Sequence, residues 1–289
     1  MDVSVIIVNY NTKGITEKCI ESVQMNTRCV DYEIILIDNA SSDGSREIFE
    51  KRKDIIYIYL DNNVGFGKAN NIGLTYATGN YIFLLNSDTI LINDAISFFY
   101  AYAQQHKGWG CLGSQLLDLE KRPIASFGYF LTIPRVLYSS ILSYLRLIRP
   151  FNPIVSLQSN DAYEVEVVLG ADLFIKRGTI DNYGFFDPSY FMYHEENDLM
   201  RTYYENGLKQ YIIPGPQIIH LESQSTKISI AKKIMTIRSL FIYVKKWNRR
   251  FSYFIFRLLY GLLKFPFVFS RGLTLKNRGE FLKALFCWI

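Results

Sequence analysis

Val3-Ser4-Val5-Ile6-Ile7-Val8, followed by Asn9-Tyr10-Asn11-Thr12, is the stretch that decides the fold. Its first six residues form a short β-branched run, which is typical of a buried strand. The polar residues that follow break the strand and can cap a helix over about residues 14–25. The chain therefore opens with a strand that passes directly into a helix.

The same succession repeats over the next residues. Further buried strands are predicted over Glu33–Asp38, Ile55–Leu60 and Tyr81–Leu85, and helices over about residues 44–52 and from the loop Asn63–Gly67 to about Ala77. Strands that alternate with helices imply a mostly parallel sheet covered by helices on both faces. We therefore predict an α/β fold of the Rossmann-like kind.

Each of these predicted strands ends in polar residues. The strand ends are Asn9, Asp38, Asp61 to Asn63, and Asn86 to Asp88. In open α/β sheets, ligands bind outside the carboxyl ends of the strands. The sequence therefore predicts a ligand site at this edge. The loop Asn63–Gly67 lacks the full glycine spacing of a dinucleotide site, so NAD binding is not expected.

The second half of the chain is less regular. The patterns predict helices over residues 92–106, from Pro134 to about Ile148 and over Pro188–Asn206, and strands over Glu164–Ile175, Tyr211–Ile213 and Gln217–Ile219.

The charge of the chain is unevenly distributed. The chain has 289 residues, 49% of them hydrophobic and 16% aromatic, and a net charge of +5. From Lys227 onward there are 14 basic and one acidic side chain, whereas the first 226 residues carry 18 basic and 26 acidic ones. We therefore predict an acidic domain over residues 1–226 and a basic, aromatic helical tail over residues 227–289.

The tail is predicted to lie on a membrane. Phe251–Phe269 is very apolar but contains Arg257, Lys264 and Pro266, whereas a spanning helix has few or no charges. A helix in the interface of an anionic leaflet suits both the basic and the apolar residues. So much bulky apolar surface argues against nucleic acid as a partner, while a lid or an oligomer interface stays open. The amino terminus shows no secretory signal, which favours a peripheral protein at the cytoplasmic face of the membrane.

Asp88 and His220 each follow an apolar strand and could bind a metal ion. Mg²⁺ and Mn²⁺ take carboxylate oxygens and phosphates, with an occasional imidazole. Asp88 could instead cap the helix over residues 92–106 or be a turn residue, and a histidine at a strand end is often structural. Similarly, Asp38 could contact a nucleotide base or cap the turn Asn39–Gly44.

Three carboxylates lie within Glu195-Glu196-Asn197-Asp198. Like charges so close raise the pKa of at least one of them, as a general base requires. The same residues could form the acidic first turn of a helix that runs to Glu205, which the helix dipole favours.

Taken in chain order, these segments resemble family 2 glycosyltransferases of the GT-A fold, and within them the bacterial rhamnosyltransferase-like group. The matching segments are Val5–Asn11, Ile37–Ser45, Asn63–Gly73, Leu84–Thr89, Gly170–Asp172, Gly184–Asp187, Tyr193–Leu199 with Arg201, and His220 with Ser223 and Ser225.

The resemblance implies a role for individual residues. It places Val8, Asn9, Tyr10, Asp38, Asn63, Lys68, Asn71 and Ser87 at the nucleotide, Asn86, Ala171 and Asp172 near the donor sugar or acceptor, Asp88 and His220 at a Mg²⁺ or Mn²⁺ ion, and Glu196 or Glu195 at the position of the catalytic base.

The reaction that the resemblance implies is glycosyl transfer with inversion. The donor would be a UDP- or dTDP-sugar, with dTDP-rhamnose one candidate, and the acceptor a hydroxyl of a lipid-linked saccharide in cell-surface polysaccharide synthesis. Two residues depart from the family pattern: Asn86 stands where many relatives have Asp, and Glu196 where an Asp is usual. These departures leave open a catalytically weak, membrane-tethered module that binds sugar nucleotides. A nucleotidyltransferase, which uses similar sheets and acids, is the other alternative.

Overall fold

The computed structural model describes residues 1–145, 161–221, 230–269 and 274–286. Two compact units are found. The described part of the first unit comprises residues 1–129, 161–188 and 196–221, and that of the second comprises residues 130–145, 189–195, 230–269 and 274–286. The second unit thus contains, besides the predicted tail, two segments that the sequence placed in the first domain.

The first unit is built on strands and helices that alternate along the chain. The strands are β1 (Val3–Asn9), β2 (Tyr32–Asp38), β3 (Ile56–Tyr59), β4 (Tyr81–Asn86), β5 (Thr89–Leu91), β6 (Trp109–Leu117), β7 (Phe127–Gly128), β8 (Tyr163–Val165), β9 (Val167–Val168), β10 (Asp172–Lys176) and β11 (Lys209–His220). The helices are α1 (Lys13–Asn26), α2 (Ser45–Phe49), α3 (Phe66–Tyr76), α4 (Ala95–Gln105), α6 (Arg177–Tyr183) and α7 (Glu195–Glu205), the last of which begins at the boundary residue Glu195.

The described residues form a large sheet of nine strands and a small sheet in which β7 pairs with β9. The order of the large sheet is β3-β2-β1-β4-β10-β6-β11-β5, and β8 pairs with β11. The first four strands are parallel neighbours, as predicted. Beyond them the sheet is mixed, because β10 runs antiparallel to both β4 and β6. The α/β fold class is confirmed, with the parallel arrangement concentrated in the half that carries the polar strand ends.

Helices cover both faces of this sheet. Alternate residues of a strand point to opposite faces. Val5 and Ile7 of β1 belong to the core cluster that includes residues of α1 and α4. Ile6 points to the other face, where α3 packs so closely that a β-carbon on Gly73 would lie 2.6 Å from the Ile6 Cγ2.

Three predictions for the second half are corrected. The strand predicted over Glu164–Ile175 is divided into β8, β9 and β10, because a turn at Gly170 separates segments that pair with different strands. The helix predicted over Pro188–Asn206 begins only at Glu195, after two residues with positive φ. The two strands predicted over residues 211–219 are one strand, β11, with an irregularity between Ile213 and Ile218.

The second unit is helical in its described part. It contains α5 (Ile133–Tyr144), α8 (Ile230–Trp247), α9 (Arg250–Lys264), a 3-10 helix (Phe265–Phe269) and α10 (Leu275–Phe286). Its core is aromatic, with Tyr190, Phe241, Tyr243 and Phe256 among the buried side chains. The predicted end of the Pro134 helix, beyond residue 145, lies outside the described residues.

Candidate active site at the carboxyl edge of the sheet

The polar strand ends of the first unit lie side by side. In the parallel register, Asn9 is the partner of Asp38, and Val8 is the partner of Asn86. The carboxyl ends of β1, β2 and β4 therefore meet at one edge, while the ligand site predicted there stays a prediction.

Asn9 is fully buried and has several hydrogen-bond partners. Its Nδ2 donates to Ser41 Oγ at 3.1 Å and to Ser45 Oγ at 2.9 Å. Its Oδ1 accepts from Thr12 Oγ1 at 2.8 Å and from Thr16 Oγ1 at 3.0 Å. The side chain thus joins the strand end to the loop after β2. Asn9 therefore positions this loop, and a direct contact with a nucleotide, which the resemblance implied, stays a prediction.

Asp38 is fully buried as well, and it caps the turn that follows it. Its Oδ1 accepts from the backbone N–H of Ser41 at 2.9 Å, and its Oδ2 accepts from the Tyr57 hydroxyl at 2.9 Å. Burial and this bond to a carboxylate raise the pKa of Tyr57 above its usual value, so the hydroxyl stays a donor. Of the two roles predicted for Asp38, the structure shows the cap, and a nucleotide contact stays a prediction.

Asn39 holds two loops of the edge together. Its Nδ2 donates to Asn63 Oδ1 at 3.0 Å, and its Oδ1 accepts from the backbone N–H of Val64 at 2.9 Å. The Asn63 Oδ1 also accepts from the N–H of Gly65 at 3.0 Å. Asn63 therefore shapes the glycine-containing loop from within, consistent with a supporting role.

The other predicted nucleotide residues occupy different positions. Tyr10 is about half exposed at the end of β1, at 49%. Ser87 Oγ lies 3.2 Å from Thr12 Oγ1, so it belongs to the same edge. Lys68 is exposed on α3. Asn71 donates to the backbone carbonyl of Phe186 at 2.8 Å, which ties α3 to the loop before α7.

Asp88 and His220, the predicted metal ligands, are brought together. His220 Nε2 lies 3.3 Å from Asp88 Oδ1, and both side chains are partly accessible. The backbone supports the pair, because the N–H of Leu221 donates to the Asp88 carbonyl at 2.8 Å. Of the alternatives for Asp88, the turn residue is found, because Asp88 lies in the turn between β4 and β5. The helix cap is not found: α4 begins at Ala95, and Asp94 occupies its N-cap position.

The donor set of this pair fits a divalent cation that takes its remaining ligands from phosphate and water. One carboxylate and one imidazole suit Mn²⁺ or Mg²⁺ bound with a diphosphate. Within the described residues, no group of three or more His, Cys, Asp or Glu side chains could hold a metal by itself.

Asp172 and Ala171, which the resemblance places near the donor sugar or acceptor, are both buried. Asp172 is fully buried at the start of β10, and its Oδ2 accepts from the backbone N–H of Ser114 at 2.7 Å. Burial raises its pKa to about 7, while the bonds from Ser114 and the charge of His220 lower it. Ala171 is also buried, and its carbonyl accepts from the N–H of Asn86 at 2.9 Å. Both residues are therefore buried beside the end of β4, and their place near the donor sugar or acceptor stays a prediction.

The two candidate bases differ in accessibility. Glu195 is 3% exposed and belongs to the second unit, whereas Glu196 is partly accessible and belongs to the first. A β-carbon on Gly170 would lie 4.0 Å from Glu196 Cγ, so Glu196 is close to the turn that leads into β10. The structure thus favours Glu196. Helix α7 runs from Glu195 to Glu205, so the three carboxylates do lie in its first turn, as the alternative predicted, and Asp198 is 2% exposed there.

The backbone before Glu195 is strained. Tyr193 and His194 have φ values of 72° and 69°, in a region that residues with a β-carbon seldom adopt. Such strain persists only where the surroundings enforce it, and it is concentrated at functional sites. Desolvation lowers the pKa of His194 to about 4, so this imidazole is neutral at physiological pH.

Sequence reasoning missed the residues that organise the edge. They are Asn11, Thr12, Asn39, Ser41, Ser45 and Tyr57. A signal was present for most of them, because they lie in the polar runs directly after β1 and β2. Tyr57 stands within β3 and gave no such signal.

A cavity of about 810 Å³ lies away from this edge. Its lining includes Tyr102, His106, Trp109 and Tyr211. Trp109 begins β6, which runs in the same direction as β4, so the cavity is at the amino-terminal side of the sheet.

Comparison with known proteins agrees with this geometry. Residues 4–123 match the model of glycosyl transferase family 2. The glycosyltransferase GlyG of Streptococcus pneumoniae is 31% identical over 36% of this chain and 35% of its own length. The Escherichia coli UDP-Glc:alpha-D-GlcNAc-diphosphoundecaprenol beta-1,3-glucosyltransferase WfaP is 29% identical over 50% of this chain and 57% of its own length. The chain thus matches between about a third and somewhat over half of the length of these relatives.

A solved structure shows the same fold over nearly the whole chain. The crystal structure of GalNAc-T7 with UDP, GalNAc and Mn²⁺ superposes with a TM-score of 0.64 at 16% identity, and covers 98% of this chain and 54% of that one. Neither this likeness nor the sequence matches distinguish the rhamnosyltransferase-like group within the family. Residues 4–123 of this chain are thus similar to glycosyl transferase family 2.

Proposed function

We propose that this protein is an inverting glycosyltransferase that moves a sugar from a UDP- or dTDP-sugar to a hydroxyl of a lipid-linked saccharide. The observation that carries the proposal is the Asp88–His220 pair at the carboxyl edge of the sheet, with a separation of 3.3 Å between Oδ1 and Nε2. At this edge, the carboxylate and the imidazole would hold a cation together with a diphosphate.

The nucleotide would lie against the loops that Asn39 and Asn9 hold in place. Tyr10 offers a half-exposed ring at this edge, and Ser87 offers a hydroxyl. A rigid scaffold under the loops lets these few groups fix the donor, so that its anomeric carbon faces the acceptor. The structural relative GalNAc-T7 holds UDP, which supports a nucleoside diphosphate as the ligand class.

Asp88 and His220 would hold Mg²⁺ or Mn²⁺ together with the diphosphate. When bound, such an ion stabilises the negative charge of the departing diphosphate. Mn²⁺ is present in the GalNAc-T7 structure, which supports the same class of cofactor here. Because one carboxylate and one imidazole make a small protein ligand set, we expect the ion to bind weakly without a nucleotide.

Glu196 would act as the general base. Its carboxylate takes the proton of the acceptor hydroxyl while that oxygen forms a bond to the anomeric carbon. The bond between that carbon and the diphosphate oxygen breaks on the opposite side, so the configuration inverts and the nucleoside diphosphate leaves. The accessibility of Glu196, compared with the burial of Glu195, supports this assignment.

The acceptor is proposed from the chemistry of a relative. WfaP is named for transfer to a sugar on diphosphoundecaprenol, a lipid carrier. A similar acceptor would place this protein at the cytoplasmic face of a membrane, in cell-surface polysaccharide synthesis. Rhamnose stays one candidate for the donor sugar.

Calorimetry of the full chain with UDP and dTDP, each with and without Mn²⁺, tests the proposal. We expect one of the two nucleotides to bind, and to bind more tightly with Mn²⁺. Sugar transfer is then tested by supplying sugar donors of that nucleotide together with lipid-linked saccharides as acceptors. The measured quantity is the nucleotide released. Binding of neither nucleotide would defeat the proposal; binding without turnover on any donor would indicate a sugar-nucleotide-binding module.

A further inference from the structure

Helix α9 has two faces of opposite character. Tyr253, Phe256, Arg257, Tyr260 and Gly261 are buried in the helical unit. These positions recur at the spacing of one helical face. The helix is therefore a built-in part of this unit rather than a loose tail.

The opposite face, which we call the α9 outer face, is apolar and exposed. Each of its side chains is between 39% and 76% exposed. The α9 outer face consists of Phe251, Phe254, Ile255, Leu258, Leu259 and Leu262. Six adjacent large hydrophobic side chains make a continuous patch, which marks an interaction site, unlike scattered single residues. Phe265 and Phe269 of the following 3-10 helix extend the exposed apolar surface, at 41% and 65%.

Arg257 fixes the orientation of the helix. Its guanidinium lies 4.9 Å from the ring centre of Phe241, and its Nη1 donates to the Tyr253 hydroxyl at 3.1 Å. The segment Arg250–Phe269 is long and apolar enough to cross a membrane by length and composition. Spanning would require Arg257 and the buried rings to leave these partners. In addition, α9 itself has 15 residues, so it is about 22 Å long, shorter than a hydrocarbon core of about 30 Å.

Two partly buried lysines beside aromatic rings supply an affinity for anions. Lys233 Nζ lies 4.0 Å from the ring centre of Phe267, and Lys264 Nζ lies 5.5 Å from that of Tyr260. Among the described residues, neither lysine has a carboxylate partner. Burial lowers the pKa of Lys264, and the charge of Lys233 lowers it further, so the two ammonium groups repel each other. An anion between them would relieve this repulsion.

The basic residues around the start of α9 also favour an anionic partner. Lys245 and Lys246 end α8, Arg249 and Arg250 begin α9, and all four are exposed. Cationic side chains around an apolar helix face match the headgroup and acyl boundary of an anionic leaflet. This charge complementarity distinguishes a lipid surface from a neutral apolar partner.

We propose that the α9 outer face enters the surface of an anionic bilayer in the plane of the membrane, with Lys233 and Lys264 contacting a lipid phosphate. The inference concerns the helical unit alone and does not depend on the proposed transfer reaction.

Flotation of the full chain with vesicles tests the proposal. The vesicles are phosphatidylcholine with phosphatidylglycerol, or phosphatidylcholine alone, and no nucleotide is added. We expect the combined change Phe254→Ser, Leu258→Ser and Leu262→Ser to weaken binding to the anionic vesicles at least about tenfold. Lys233→Gln with Lys264→Gln should weaken it by roughly tenfold as well, but only when phosphatidylglycerol is present.

A matched control carries Met25→Ser, Tyr76→Ser and Leu119→Ser, which are exposed apolar residues of the first unit. It should bind as tightly as the parent protein. Circular dichroism confirms that each variant is folded. The proposal would be overturned if the triple serine variant of α9 bound the vesicles as tightly as the parent protein. It would also be overturned if that variant lost only the ability to self-associate and still bound the vesicles.

Spin labels distinguish an in-plane helix from a spanning one. Phe251→Cys, Leu258→Cys and Leu262→Cys are labelled one at a time in a chain in which Cys29 and Cys287 are replaced. An in-plane helix gives the three labels similar, shallow depths. A steady increase in depth from residue 251 to residue 262 would contradict the in-plane orientation. Nucleotide binding by the same variants reports separately on the proposed function.

Discussion

Asp88 Oδ1 and His220 Nε2 lie 3.3 Å apart, although one residue follows β4 and the other ends β11. The two strands are distant in the chain, yet β5 connects them: His220 is the register partner of Thr89, the residue after Asp88. The pair is therefore fixed by the sheet rather than by a flexible loop.

Replacing either member of the pair should weaken metal-dependent transfer. We expect His220→Ala to lower the rate about 10- to 100-fold at limiting Mn²⁺, and Asp88→Ala to lower it at least as much, because each removes a ligand. Rates measured across a Mn²⁺ titration provide the test. His106→Ala, outside the site, is the control and should behave as the parent does. Unchanged Mn²⁺ dependence in His220→Ala would exclude it as a ligand.

Glu196→Gln should slow the transfer step and leave donor binding intact. The amide keeps the size of the side chain but cannot take a proton, so we expect kcat to fall by about 10²- to 10⁴-fold. Nucleotide affinity, measured by calorimetry, should change little. Glu205→Gln, at the exposed end of the same helix, is the matched control. Full activity of Glu196→Gln would refute the assignment of the base.

Asn9→Ala should loosen the edge of the sheet. The change removes the donor to Ser41 and Ser45 and the acceptor for Thr12 and Thr16 inside a buried network. We expect the free energy of unfolding to fall by about 1–3 kcal/mol, with weaker nucleotide binding as a result. Urea denaturation and calorimetry measure the two effects. Asn62→Ala, at an exposed position of a neighbouring loop, should leave both nearly unchanged.

The positions of the site residues were more predictable than their orientations. Asn9, Asp38 and Asp88 could be placed at one edge because parallel strands bring their carboxyl ends together. Whether each side chain points outward or into the loops depends on partners such as Tyr57, which no local pattern identifies. Likewise, the residues before Glu195 were predicted to be helical but are not. The positive φ values of Tyr193 and His194 are imposed by tertiary packing, which no local pattern shows.

Asp172 should make stability depend on pH. Burial raises its folded pKa to about 7 from an ordinary value of 3.8. Between these values the folded carboxyl keeps its proton while the unfolded one loses it, so stability falls as pH rises through this window and levels off above about 7. The total change is on the order of 4 kcal/mol. Urea denaturation from pH 4.5 to pH 8 should show this slope in the parent and a much flatter one in Asp172→Asn. Identical slopes would show that Asp172 does not titrate in this range.

Two glycines in helices of the first unit should respond to alanine in opposite directions. At Gly73, a β-carbon would lie 2.6 Å from Ile6 Cγ2 and 3.3 Å from Ile37 Cγ1, where α3 packs on β1 and β2. Gly73→Ala must therefore displace α3 or the core side chains, and we expect a loss of about 1–3 kcal/mol in the free energy of unfolding. At Gly14, in α1, a β-carbon meets no atom within 4 Å. Because alanine favours the helix, Gly14→Ala should stabilise by about 0.5–1 kcal/mol. Urea denaturation of both variants measures the two changes in the free energy of unfolding. Equal effects would mean that helix propensity, rather than the close approach of α3 to the sheet, determines the cost at Gly73.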